Sequence, residues 1–212
     1  DVPEFKRTID LANGRMRLEQ HRVALFPFSM VNDARQNLVL DGGIAYNVDP
    51  ASGKATRASE STALDRRIEM LANPVTIIRA ALDPRTKLSN LRQQGKKQLV
   101  DITTAQSGKL TLAVDTATHL PASVTWMSFN DNLADVINET SFLDYEMVNG
   151  VRLPRRYLTH IDFRNYTSAD IRISKNTVDA DPGDLAAPEP VRAAAPPVPA
   201  PIVVDAVKVA DG

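Results

Sequence analysis

The sequence predicts a mainly β, α+β fold: a curved antiparallel sheet or incomplete β-barrel, with two short helices covering or plugging its concave face. Three observations carry this. Short runs of period-two alternation recur along most of the chain. Turn dipeptides such as Asn13-Gly14 and Asn149-Gly150 separate several of them. A single mid-chain stretch, from Thr62 to Leu82, changes to helical spacing.

In chain order, residues 4–28 read as strand, turn, strand, with Phe5, Arg7, Ile9 and Leu11 alternating with their neighbours and Asn13-Gly14 as the turn. Residues 37–48 read as a further strand pair around Asp41-Gly42-Gly43. Thr62 is placed to cap the first helix, with Asp65 as its capping-box partner. Asn73-Pro74 stops that helix and starts the second, Asn as cap and Pro at the first helical position, and Asp83-Pro84 ends it. Strand patterns return at Leu99–Thr103, Lys109–Val114, Ser123–Met127, Thr140–Val148, Val151–Ile161 and Ala169–Ile173.

The composition then shifts. Of 14 prolines, seven fall between Pro182 and Pro201, so residues 186–201 read as a semi-extended Pro/Ala linker after a β-rich domain at 1–185. Residues 202–212 are valine-rich and stop at Asp211-Gly212, as a first strand of something further would. The chain also starts on Asp rather than Met. The expectation is the front part of a longer protein.

Composition excludes several functions. With 25 basic and 26 acidic side chains there is no cationic excess to neutralise phosphates, so no nucleic-acid role is expected. No apolar run reaches about 18 residues, so no transmembrane segment is expected. With no cysteine there is no disulfide, thiolate nucleophile or Cys-ligated zinc. His21, His119 and His160 lie far apart, and no local metal motif, nucleophile elbow or glycine-rich phosphate loop occurs. No catalytic, metal or cofactor residue is assigned. The one candidate site is apolar: Leu64, Ile68, Leu71, Val75, Ile78 and Leu82 on the two helices, with Trp126 at the mouth beside Met127 and Phe129, would line a ligand cavity under the sheet.

Two resemblances follow from particular segments. Gly108 to Asp115, followed by Leu120-Pro121-Ala122-Ser123-Val124, and the hairpin from Phe142 to Pro154, resemble the LolA/LolB-like periplasmic lipoprotein carriers. Asp41 to Val48, Pro74 to Pro84 and Gly183 to Pro188 resemble the carrier-like front domain of bacterial exported hydrolases of the metallo-β-lactamase fold, and Val207 to Gly212 resembles the first strand of the hydrolase domain itself. The second resemblance implies a non-catalytic accessory domain that binds substrate or a partner. Its partners would be its own C-terminal hydrolase domain and a second copy in a homodimer. Zinc would belong to the parent's further domain, beyond Gly212. The alternative, implied by the first, is a carrier holding a lipid or lipidated peptide in an apolar cavity. Both imply a periplasmic or secreted protein.

Overall fold

The computed structural model describes residues 3–23, 34–105, 107–130, 134–162 and 167–198, and lays the period-two runs into two antiparallel meanders. The first is a five-stranded sheet of β1 (Glu4–Asp10), β2 (Arg15–Arg22), β3 (Ala34–Asp41), β4 (Ile44–Val48) and β5 (Ala55–Arg57), ordered as in the chain. Two helices follow, α1 (Glu60–Leu71) and α2 (Pro74–Leu82). The second sheet has seven strands, also in chain order: β6 (Lys87–Gln94), β7 (Lys97–Thr104), β8 (Gly108–Asp115), β9 (Pro121–Asn130), β10 (Ala134–Val148), β11 (Val151–Ile161) and β12 (Thr167–Arg172). A one-turn helix, α3 (Glu189–Ala193), lies in the C-terminal stretch. Neither sheet closes on itself. The expected fold class is therefore the observed one, built as two open sheets. The expected strand ends between residues 24 and 28, and the valine-rich segment 202–212, lie outside the described residues.

Local chemistry accounts for most elements. Asn149 (φ 47°) and Gly150 (φ 82°) both take the left-handed conformation that a two-residue hairpin turn requires, joining Val148 to Val151. Asn73 caps α2 through its Oδ1, which accepts the Val75 N–H at 3.0 Å, and Pro74 opens the helix, as expected. The cap of α1 lies three residues before the expected one. Ser59 Oγ accepts the Thr62 N–H at 3.2 Å, and Glu60 adds an acid to the first turn. Asp65 consequently falls mid-helix. Strand β6 escapes sequence reading because Leu88 and Leu91 are spaced by three and every residue of the strand is exposed. It forms by pairing with β7, across a bulge between Ser89 and Arg92.

Helix α1 is the wedge between the sheets. Ala63 and Met70 pack on Met16, Leu40 and Ala45 of the five-stranded sheet. Ile68 and Leu71, with Ile77 of α2, pack on Ile102, Leu110, Leu112, Val124 and Phe142 on the inner face of the seven-stranded sheet. The outer face of the five-stranded sheet, carrying Val39, Ile44, Tyr46 and Val48, is covered by the C-terminal stretch, through buried Leu185, Ala187 and Val191. Here the reading of residues 186–201 as a spacer needs correcting over its first half. Proline is no obstacle, since Pro188 and Pro190 stand in and before the first turn of α3, where no intrahelical donor is needed. Polar ties fix the stretch. Tyr46 Oη lies 3.2 and 3.1 Å from the Leu185 and Ala186 carbonyls, Ala187 N–H donates to Asp41 Oδ2 at 2.8 Å, and Arg17 donates to the Asp184 carbonyl at 2.7 Å.

On the outer face of the seven-stranded sheet, Asp101 is only 4% exposed. It accepts from Arg92 at 3.0 Å, Asn90 at 3.2 Å and Thr111 at 2.9 Å, and Lys109 lies 3.6 Å away. Burial alone would raise its pKa, but the bonds from Arg92, Asn90 and Thr111 outweigh burial and bring it down to about 2. The folded-state value is thus below the unfolded one, so this contribution is present above about pH 4 and is lost as pH falls toward about 2. Arg92 and Lys109 remain in contact with water, which screens the effect to about 1 kcal/mol. Wild type is expected to lose that much more stability than Asp101→Asn over this interval in acid-titrated urea unfolding. Parallel pH profiles for the two proteins would refute the assignment.

Candidate functional site: a cavity between the sheets

A cavity of about 320 Å³ opens beside α1, where the two sheets diverge. Its floor is the inner face of β9 to β12, its wall is α1, and β1 closes one side with Arg7. The apolar lining comes from Ile68, Ala72, Trp126, Ala169 and Ile171. The floor carries a polar patch in which Asn138 Nδ2 donates to Ser128 Oγ at 2.8 Å, and the Thr140 and Thr159 hydroxyls meet at 2.8 Å. Asn138 and Thr140 are buried, so these mutual bonds replace the ones lost to water.

Tyr157 stands where floor meets wall. Its ring packs edge-on against Phe142 at 5.7 Å between centroids, and its hydroxyl accepts from Asn73 Nδ2 at 3.0 Å. Burial pushes the phenol pKa up, so it remains a neutral donor. The Arg7 guanidinium lies 5.5 Å from the Tyr157 ring centre and 5.3 Å from that of Phe5, and donates to Glu69 Oε1 at 3.2 Å. Among the described residues the buried Arg7 Nε–H has no acceptor. Asp65, exposed on α1, also lines the cavity, and partial desolvation pushes its carboxyl pKa up.

Of the residues expected to line a cavity, Ile68 and Trp126 do so. Leu71 and Ile78 instead fill the core beneath α1 and α2, and Val75 is half-buried on α2 away from the lining. Leu64 and Leu82 are exposed at 41% and 77%. The reason is phase: α1 turns Ala63, Arg66 and Ile68 inward, which leaves Leu64 on the solvent side. Met127 and Phe129 are likewise exposed, because strand alternation sends them to the sheet face opposite Trp126. Missed by the apolar criterion were Arg7, Glu69, Tyr157 and the polar floor. A signal for the floor does exist. Inner-face positions of β10 run Val136, Asn138, Thr140, Phe142, and two buried polar residues interrupt the apolar series there.

The lining combines an apolar wall with a hydrogen-bonded polar floor. Its hydroxyls bond to an amide or to one another, and no histidine lines the cavity. Among the described residues no three His, Asp or Glu side chains converge in a metal-binding arrangement. No helix among them is long and apolar enough to cross a membrane.

No family model matches the chain, and no curated protein matches it. The crystal structure of a LolA superfamily protein from Nitrosomonas europaea is similar to 77% of this chain and 74% of its own, at 13% sequence identity and a TM-score of 0.42.

Proposed function

We propose that this chain is a binding domain that holds an apolar molecule with a hydrogen-bonding head in the cavity between its sheets. The observation that carries this is the lining: an apolar wall of Ile68, Trp126, Ala169 and Ile171 beside the Arg7 guanidinium and the polar floor of Ser128, Asn138, Thr140 and Thr159. A carboxylate, ester or amide oxygen placed beside the guanidinium would accept a charge-assisted hydrogen bond, stronger than a neutral one. The volume is at the lower end of small-molecule sites, which fits a single acyl chain better than a bulky ring system. A lipid or lipidated peptide is the ligand class that the sequence resemblance to periplasmic carriers also implies. The accessory role beside a metallo-β-lactamase-fold hydrolase draws its support from the sequence resemblance alone.

Titration with a fluorescent fatty acid tests the reading. Saturable binding is expected, displaced by an unlabelled fatty acid. Ala169 is half-buried on the edge strand β12, so Ala169→Trp fills the cavity without disturbing the core. It should weaken binding at least tenfold while shifting the unfolding midpoint little. A variant that binds as wild type does, or a wild type with no saturable phase, would remove the proposal.

A further inference from the structure

The margin of the molecule farthest from the cavity floor carries an unusual charge distribution. Between Arg79 and Lys97 there are six basic side chains and one acidic one, in a chain of formal net charge −1. Arg85 is neutralised by Asp83 at 2.7 Å and Arg92 by Asp101 at 3.0 Å. Arg79, Lys87 and Lys97 have no carboxylate within ion-pair distance among the described residues. Interspersed with these cations are large apolar side chains held in water: Leu82 at the end of α2 is 77% exposed, and Leu88 and Leu91 on β6 are 51% and 76% exposed.

Part of this has an ordinary explanation. Strand β6 is the free edge of the seven-stranded sheet, and lysine, arginine and a bulge are what keep an edge from pairing with another chain. The leucines have no part in that protection. They work against it, because an apolar free edge invites association. Leu88 and Leu91 sit in no groove, since β6 is exposed along its whole length, and Leu82 lines only a wide-open hollow with Arg79, Asp83, Pro84 and Arg85. Leu88 opposes Ile102 of β7 on the inner face, and Leu82 ends the helix packed on that same face, so both belong to one margin.

We infer that this margin is a docking surface for an anionic lipid bilayer. Uncompensated cations around projecting leucines suit a surface that is negative at the headgroups and apolar just below. A bilayer also requires no shape complementarity, which matches so open a surface. Long-range attraction to the headgroups orients the molecule, and the leucines enter the interface. The surface is separate from the cavity and does not depend on what the cavity holds.

Co-sedimentation with vesicles tests this on the full chain. Binding is expected to pure phosphatidylglycerol vesicles, to be absent with pure phosphatidylcholine, and to fall with added salt. Arg79→Gln with Lys87→Gln should weaken it by about fivefold per charge removed. Leu82→Ser with Leu91→Ser should weaken it at least tenfold, and both pairs should keep the wild-type circular dichroism, since all four residues are exposed. Equal binding to both lipids, or variants that bind as wild type does, would overturn the inference. So would retention on a polyglutamate resin without vesicle binding, which would make the partner an acidic protein.

Discussion

Arg66→Ala is expected to lower the unfolding free energy by about 3 kcal/mol. Arg66 is 7% exposed, on the face of α1 that meets the five-stranded sheet. One of its nitrogens donates to the Val39 carbonyl at 2.9 Å and the Tyr46 carbonyl at 2.8 Å, and the other donates to Asn47 Oδ1. Burial pushes the guanidinium pKa down, but a guanidinium stays charged in proteins. Hydrogen bonds to a buried charge are worth more than neutral ones, and truncation leaves three acceptors facing a void. Arg66→Met separates the two losses: it restores much of the volume but none of the donors, and should recover no more than about 1 kcal/mol. Urea unfolding should show a lower midpoint at unchanged slope. An alanine variant within 1 kcal/mol of wild type would mean that α1 is held by its apolar contacts alone. The fatty-acid probe gives a second reading, since α1 is the cavity wall and should bind it more weakly when loosened.

Leu185→Ala is expected to cost about 3 kcal/mol, the usual range for a leucine removed from a packed interior. This is the sharpest test of the C-terminal stretch. Leu185 is the last residue before the stretch read as a spacer, and were that border unpacked the change would cost almost nothing. In the fold, Leu185 is 1% exposed and packs with Val39 and Tyr46 on the outer face of the five-stranded sheet. Val198→Ala is the comparison: it lies within the Pro/Ala stretch at 86% exposure, and should change stability by less than about 0.5 kcal/mol. Equal, negligible effects of the two substitutions would return the whole stretch to a linker.

The two outcomes show where sequence reading succeeds and where it stops. Within each sheet a strand pairs with its chain neighbour, so most hairpins are announced locally by alternation and a turn, as at Val148-Asn149-Gly150-Val151. The helix pair is legible for the same reason, since Asn73 and Pro74 act within one turn of their own position. Strand β6 was not legible, because it is fully exposed and forms by pairing with its partner strand. Arg66 reads as a solvated helix charge until the sheet is laid against it.

By itself, then, the sequence determined the fold class, the order of the hairpins and the start of α2, all of which rest on contacts a few residues apart. The tertiary structure alone decided that the strands divide into two sheets and that Leu185, Ala187 and Val191 cover one of them. It also decided which expected residues meet a cavity, keeping Ile68 and Trp126, burying Leu71 and Ile78 in the core, and turning Leu64 and Leu82 to water. The reason is physical. A turn or a cap is a local equilibrium, whereas a cavity is the space left where distant elements fail to meet, as where Arg7 reaches Glu69 across 62 positions of chain.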